Sequence, residues 1–329
     1  MKEPPLRTSC SVVVPTLNRP ASLERCLAGL AAQDYPRDLW DVIVVDDGGD
    51  VSLDGVVGAA RERLSVRLLR TEHGGPALAR NHGVRNATGH LIAFADDDCS
   101  PDPGWLAALV TSHATDPDAM IGGHTYNVLH QNPYATSSQL LIDYLYAYYN
   151  ASSDDSRLFT SNNMAVGREQ FLESGGFDPL FRSAAGEDRE LCARWRHLGW
   201  PLVYAPEARV AHAHSLTLRG FVRQHMRYGR AAYYFRVRES HRTGRGVRLE
   251  PPRFYVDMLR FPFGRLDMLA GMRSAALLVV SQAANAAGYF TEKLGSGTGG
   301  AAALPPDPLE AAERTWSKTR PRHTRTMRK

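Results

Sequence analysis

The chain has 329 residues, of which 43% are hydrophobic and 22% charged, and this composition excludes a chain that is disordered throughout. The formal net charge is +4, but seven positive charges without an acid follow Glu313, so the remainder of the chain carries −3. The basic residues therefore form a C-terminal tail and no nucleic-acid-binding body is expected. Such a tail is typical of a solvated end or of a contact with an anionic surface.

Four cysteines lie far apart, without the short paired spacings of zinc sites or redox dithiols, and we expect ordinary thiols in a reducing compartment. The predicted location is cytoplasmic, with peripheral attachment to the inner face of the membrane as an option. Met1–Thr8 has no apolar core, so no signal peptide is predicted, and no stretch reaches the roughly 18 apolar residues of a membrane span. Leu269–Phe290 is interrupted by polar residues and predicts a packing helix or an in-plane membrane helix.

The first hundred residues alternate between β-branched runs and helical patterns, which is typical of βαβ units in an α/β fold. Parallel strands of such a sheet end at a common edge, where open α/β folds bind their ligands. The predicted strands are Ser11–Val14, Val42–Val45, Val66–Leu69 and Leu91–Ala95, and the predicted helices are Pro20–Gln33 and Ala77–Asn86.

The pattern becomes less regular after residue 98, with short mixed segments around Asn162–Val166 and a Gly-rich linker at Gly295–Gly300. We predict one domain at residues 1–240, a helical C-terminal extension at 241–294 and a flexible tail at 295–329. The later helical patterns cover Pro103–Thr111, the aromatic run Gln139–Tyr149, Glu187–Leu198 and the segment from Ser215 to about Glu239.

Three adjacent acids, Asp96, Asp97 and Asp98, follow the last of the predicted strands. Adjacent carboxylates raise one another's pKa unless a cation neutralises them, so this cluster predicts a hard divalent metal with oxygen ligands. In extended geometry Asp96 and Asp98 point the same way and Asp97 points elsewhere. A simple turn or helix cap is the alternative, although it needs only one acid.

Asp46-Asp47-Gly48 ends the second predicted strand, where an acid can accept hydrogen bonds from a ribose or from a base. Alone, the pair Asp-Gly is equally typical of a turn. Asp188 falls in the first turn of the predicted helix at Glu187–Leu198, where the helix dipole favours its charged form and the neighbouring Glu187 opposes it.

These motifs together resemble the inverting nucleotide-sugar glycosyltransferases of family 2, which have the Rossmann-like GT-A fold with a mixed, mainly parallel sheet flanked by helices. The resemblance covers about residues 10–235, and the order and spacing of its parts are more specific than any one part. The segments that carry it are SVVVPTLN at Ser11–Asn18, VDDG at Val45–Gly48, GGPALARN at Gly74–Asn81, FADDD at Phe94–Asp98, GGFD at Gly175–Asp178 and GEDREL at Gly186–Leu191.

Carried over residue by residue, the resemblance implies a donor site for a nucleotide-diphosphate sugar and a site for Mn²⁺ or Mg²⁺. The implied metal ligands are Asp98 with Asp96 and His212, whereas His214 is a weaker candidate. Asp188 is implied as the general base of an inverting transfer to an acceptor hydroxyl, with Glu187 beside it. The implied donor-binding residues are Pro15, Thr16, Asn18, Asp47, Arg80, Asp96 and Asp97.

The sequence indicates little about the acceptor, which could be a glycan, a lipid-linked compound or a small molecule. Asn162, Asn163 and Trp195 are the candidate acceptor contacts, and the tyrosines of Gln139–Tyr149 suit sugar stacking, a core or a homodimer surface. Gln224–Tyr228 only partly resembles the Gln-x-x-Arg-Trp motif of processive synthases, because tyrosine replaces tryptophan. The main rival function is a non-catalytic scaffold that binds nucleotide sugar.

Overall fold

A mixed β-sheet lies at the centre of the computed structural model, which describes residues 7–151, 156–183, 185–244, 250–298, 305–310 and 312. The strands of this described part are β1 (Cys10–Thr16), β2 (Trp40–Asp46), β3 (Val66–Arg70), β4 (Leu91–Ala95), β5 (Cys99–Pro101), β6 (Met120–Asn127), β7 (Asn163–Gly167) and β8 (Leu202–His212). Their order across the sheet is β3-β2-β1-β4-β7-β6-β8-β5. The pairs within β3-β2-β1-β4 and the pair β6-β8 are parallel, whereas β7 and β5 pair antiparallel with their neighbours. The predicted α/β class with a mixed, mainly parallel sheet is confirmed.

Helices cover both faces of this sheet, and the alternation of β1 shows how the two layers of core arise. Val12 and Val14 point to one face and pack with the helices Pro20–Ala31 and Trp105–Thr115. Val13 points to the other face and packs with the helices Pro76–Arg85 and Glu187–His197. The helices are α1 (Pro20–Ala31), α2 (Asp54–Ala60), α3 (Pro76–Arg85), α4 (Trp105–Thr115), α5 (Pro133–Tyr149), α6 (Arg168–Glu173), α7 (Glu187–His197), α8 (Leu218–Thr243), α9 (Pro252–Arg260) and α10 (Met268–Thr298).

The C-terminal helices α8, α9 and α10 pack beside α5, and α9 and most of α10 lie within the residues 241–294 predicted as a helical extension. The helices α8 and α10 cross closely at Gly229, where a Cβ atom would collide with the carbonyl oxygen of Asn285. The helix α8 runs across the predicted boundary at residue 240. The helix α10 continues to Thr298, so the linker predicted at Gly295–Gly300 is wrong for its first four residues.

Residues 305–310 pack back onto α8, contrary to the flexible tail predicted from residue 295. Arg238 donates a hydrogen bond to the carbonyl oxygen of Pro305 at 2.7 Å, and Arg242 pairs with Asp307 at 2.8 Å. Both arginines are almost completely buried, so residues 305–310 cover this part of α8. The basic residues after position 313 lie outside the described residues.

The outer face of α10 exposes apolar side chains to solvent, including Leu269 at 79% and Leu294 at 69% exposure. Among the described residues, no helix is both long and apolar enough to cross a membrane. The contact of this face with a membrane surface therefore stays a prediction. All four cysteines are buried and free.

Candidate active site

A large cavity opens at the sheet edge where β1, β2 and β4 end. Its volume is about 1170 Å³, and it reaches from the loops after these strands to the helices α5, α8 and α9. Of the residues predicted from the sequence, the cavity lining includes Pro15, Thr16, Asp47, Arg80, Asp96, Asp98, Asn162, Glu187, Asp188 and His212. The fold therefore brings these side chains together at one edge of the sheet, as predicted.

Asp47 lies at the cavity wall beyond β2, and its carboxylate holds the turn before α3. Its oxygens accept hydrogen bonds from the backbone amides of Gly74 and Gly75, both at 2.9 Å, and approach His73 Nδ1 at 3.0 Å. Gly75 has φ of +93°, and a Cβ atom there would collide with the carbonyl of Arg182. The carboxylate therefore shapes the loop that borders the predicted nucleoside pocket.

The three aspartates after β4 have three different environments. Asp97 is fully buried and accepts a hydrogen bond from Thr16 Oγ1 at 2.6 Å, while Arg19 pairs with it at 2.6 Å. Asp96 is partly exposed and pairs with Arg80 at 2.5 Å. Asp98 faces the cavity. The inward direction of Asp97 agrees with the alternation along an extended chain. Its side chain does not line the cavity, and its contact with the donor stays a prediction.

Asp98 lies against two histidines at the end of β8. One oxygen is 3.4 Å from His212 Nε2, and the other is 3.2 Å from His214 Nδ1 and 3.0 Å from Arg19. One ligand atom from each of Asp98, His212 and His214 lies within 4.8 Å of the others. Although burial opposes its ionisation, hydrogen bonds from both histidines hold the pKa of Asp98 well below its usual value.

A carboxylate and two imidazoles form a mixed oxygen and nitrogen donor set of the kind that binds divalent transition metals, whereas Mg²⁺ prefers oxygen ligands alone. The residues thus fit a divalent transition metal. His214 Nε2 also contacts Gln224 Oε1 at 3.1 Å, and such a second contact fixes the tautomer and orientation of a ligating ring. Asp96, a predicted ligand, is not part of this group, whereas His214 is.

Arg80 connects the aspartates to the start of α7. Its buried guanidinium donates to Asp96 Oδ1 at 2.5 Å and to Glu187 Oε1 at 3.1 Å. Arg80 thus forms an ion-pair bridge between Asp96 and Glu187, and its contact with the donor stays a prediction. Asp188 is half-buried in the next position, and one of its oxygens accepts a hydrogen bond from the Arg189 amide at 2.7 Å.

Burial raises the pKa of Glu187 to about 7, and repulsion from Asp188 adds to the rise. Burial also raises the pKa of Asp188, opposed by the hydrogen bond from the Arg189 amide and by the charge of Arg80. A carboxylate with a raised pKa is a stronger base than an ordinary aspartate. The arrangement can therefore accept a proton near neutral pH.

Two of the predicted acceptor residues do not face the cavity. Asn163 is fully buried in β7, where it accepts from Trp105 Nε1 at 2.8 Å and donates to the carbonyl oxygen of Ala208 at 2.9 Å. Trp195 is fully buried in α7, and its indole N–H donates to the carbonyl oxygen of Asp118. Both predictions are wrong, because these polar groups satisfy the interior of the fold instead.

Asn18 also has a structural task. Its side chain accepts hydrogen bonds from the amides of Asp50 and Val51 and holds the loop after β2, so it does not line the cavity. Arg19 follows Asn18 directly and bridges Asp97 and Asp98, although it was not among the predicted site residues. Its position in the loop after β1 was the only available signal.

Comparisons with known proteins agree with this geometry. The model of the family described as "Glycosyl transferase family 2" matches residues 11–176. The pre-mycofactocin glycosyltransferase of Mycobacterium tuberculosis is 32% identical over 247 residues, which are 73% of this chain and 50% of that protein. The validoxylamine A glucosyltransferase of Streptomyces hygroscopicus is 30% identical over 255 residues, 65% of this chain and 60% of that protein. The chain thus spans about half the length of the curated relatives it matches.

Among solved structures, the mannosyltransferase PcManGT of Pyrobaculum calidifontis, in complex with GDP-Man and Mn²⁺, has a TM-score of 0.58 and 22% identity. The likeness covers 95% of this chain and 88% of that one, and it confirms the predicted GT-A fold. The family model covers half of the 329 residues. The chain therefore belongs to glycosyl transferase family 2.

Proposed function

We propose that the protein is a metal-dependent inverting glycosyltransferase that moves a sugar from a nucleotide-diphosphate donor to an acceptor hydroxyl. One observation carries the proposal: a single cavity is lined both by the group Asp98, His212 and His214 and by the carboxylates Glu187 and Asp188. The two reactants of a glycosyl transfer need these two kinds of group side by side. The names of the two relatives and the nucleotide sugar in PcManGT support the same chemistry.

On the donor side, Asp98, His212 and His214 would hold Mn²⁺, with Mg²⁺ the less suited ion. A divalent cation bound there supplies charge neutralisation for a diphosphate leaving group. Pro15 and Thr16 border the nucleoside pocket, and the Asp47 carboxylate fixes the loop at its edge. Asp96, which pairs with Arg80 and has 30% of its side chain exposed, would contact the sugar end of the donor.

On the acceptor side, Asp188 takes the proton from the attacking hydroxyl. The hydroxyl oxygen forms a bond to the anomeric carbon as the bond from that carbon to the diphosphate oxygen breaks on the opposite face, so the configuration inverts. The ion pair of Arg80 and Glu187 sets the electrostatic environment of Asp188. Asn162 also lines the cavity. The transition state resembles an oxocarbenium ion, so positioning and charge stabilisation are the main contributions of the protein.

A screen of UDP, GDP and dTDP sugars with Mn²⁺ tests the proposal. We expect one donor to raise the melting temperature only in the presence of the metal, because a ligand of the folded state stabilises it. The same donor should release free nucleotide in a metal-dependent reaction. Metal-dependent binding without release would instead support the non-catalytic scaffold, and a screen without any binding would contradict the donor site.

A further inference from the structure

The cavity extends well beyond the carboxylates and the metal-ligating group. Its volume of about 1170 Å³ exceeds the roughly 300–1,000 Å³ of a typical site for one small molecule. The space at the far end lies between α5, α8 and α9, and we call it the distal chamber. Its apolar wall consists of Leu141, Ile142, Leu145, Phe235, Phe254 and Met258.

Two hydrogen bonds stabilise the α5–α9 side of the distal chamber. Tyr144, behind this wall, donates its hydroxyl to the carbonyl oxygen of Phe254 at 2.7 Å and ties α9 to α5. Tyr149 donates its hydroxyl to Glu250 at 2.6 Å. The α5–α9 side of the chamber therefore offers a ligand mainly apolar surface, and these bonds hold it in place.

Arg189 lies at the junction between the distal chamber and Asp188. Its guanidinium is 4.7 Å from the ring centroid of Phe235 and 5.8 Å from that of Tyr149. Within the described part of the chain, no carboxylate lies within ion-pair distance of this exposed arginine. Two aromatic rings thus hold this guanidinium in the cavity, one residue along the chain from the proposed base.

We propose that the distal chamber binds the acceptor, and that the acceptor is an amphiphilic hydroxyl compound with an apolar body and an acidic group. The apolar body lies between α5 and α9, and Arg189 binds the acidic group. The hydroxyl then points toward Asp188, one residue away from Arg189. This inference rests on the proposed glycosyl transfer, because the occupant is assigned from the continuity of the chamber with that site.

Four probes separate the two parts of the proposal: methyl and octyl β-glucoside, and methyl and octyl β-glucuronide. Their dissociation constants are measured by calorimetry on the full chain, below the concentration at which the octyl compounds form micelles. Burial of the octyl group should make each octyl compound bind at least about tenfold more tightly than its methyl counterpart. Pairing with Arg189 should make each glucuronide bind about fivefold more tightly than its glucoside.

Two variants assign these preferences to the chamber. Leu145→Gln should remove most of the octyl preference, and Arg189→Gln should remove the glucuronide preference while the affinity for the nucleotide selected in the donor screen stays unchanged. Val256→Gln, on the exposed face of α9, is the matched control. Equal binding of octyl and methyl probes would overturn the apolar part. A loss of nucleotide affinity in Arg189→Gln would assign this arginine to the donor and overturn the acidic part.

These measurements require no turnover. A protein that binds the octyl glucuronide as expected but releases no nucleotide would refute the proposed catalysis and leave the chamber intact. A protein that turns over a donor without any preference among the four probes would refute the chamber alone.

Discussion

Replacement of Arg80 by methionine tests the bridge between the aspartates and the start of α7. The guanidinium is 3.1 Å from Glu187, which is only 4% exposed, and its charge lowers the pKa of both Glu187 and Asp188. At a charge separation of about 4 Å and an effective dielectric constant near 20, the attraction is about 4 kcal/mol, which corresponds to a ceiling of about three pKa units. Because side chains and water relax around the substitution, we expect the pKa of the pair Glu187 and Asp188 to rise by about one to two units in Arg80→Met.

The sign of the resulting pH dependence follows from the role of the base. Asp188 accepts a proton only when it is ionised, so turnover falls as the pH drops through the pKa of the coupled pair, close to the value of about 7 for Glu187. In Arg80→Met this acidic limb should move to higher pH by about one to two units. The free energy of unfolding should fall by about 3–5 kcal/mol, because Glu187 loses its buried partner.

The assay is the pH profile of nucleotide release, together with urea unfolding at pH 8. Arg85→Met, an exposed arginine in the last turn of α3, is the matched control and should leave both quantities within error. Arg80→Lys keeps the positive charge but loses the two-pronged guanidinium. Its acidic limb and its stability should lie between those of Arg80→Met and Arg85→Met. An acidic limb that stays in place in Arg80→Met, in a protein that is still folded, would refute the coupling of Arg80 to the base.

Three further outcomes are expected. EDTA should abolish nucleotide release and Mn²⁺ should restore it. His214→Ala should raise the Mn²⁺ concentration needed for half-maximal release at least about tenfold relative to His130→Ala, measured by metal titration. Asp307→Ala should lower the free energy of unfolding by about 1–3 kcal/mol in urea, because Arg242 is buried, whereas Asp257→Ala at an exposed arginine should cost under about 1 kcal/mol. Phosphatidylglycerol vesicles should float the full chain, and a chain ending at residue 312 should float less, since the anionic surface attracts the basic tail and the apolar face of α10.

Each of these has a contrary result. Full activity in EDTA would exclude a required metal. Equal losses of stability in Asp307→Ala and Asp257→Ala would show that residues 305–310 contribute nothing to the packing of α8. Equal flotation of the two chains would remove the tail from membrane binding, and no flotation of either would exclude membrane contact.

The sequence allowed the central strands to be predicted because β1, β2 and β4 are uniform apolar runs followed directly by polar turns. The strands β6 and β8 were missed for the opposite reason. β6 contains Gly122 and Gly123, and β8 contains Pro206 between the apolar run Leu202–Ala205 and the charged residues Glu207 and Arg209, so the strand pattern of each is interrupted. Pairing between these two strands and with β7 in the finished sheet compensates for their weak propensity.

Some residues of the candidate site could likewise be predicted from the sequence, whereas others could not. Asp96, Asp98 and Asp188 were identifiable because several acids at element ends form a local pattern. Asn163 and Trp195 were misassigned because their burial depends on the packing of α4 and α7 against the sheet, which no local pattern records. Arg19 and the contact of His214 with Gln224 join segments far apart in the chain, and a single arginine or glutamine carries no periodic signal.

The central claim is that Asp188 is the base in a metal-dependent transfer, and the Asp188→Asn variant tests it most directly. The affinity for donor nucleotide with Mn²⁺ and the rate of transfer are measured on the same preparation. We expect unchanged nucleotide affinity and a turnover lower by about 10²–10⁴, because a neutral amide cannot accept the proton. Near-normal turnover in this variant, with Mn²⁺ bound, would show that Asp188 is not the base.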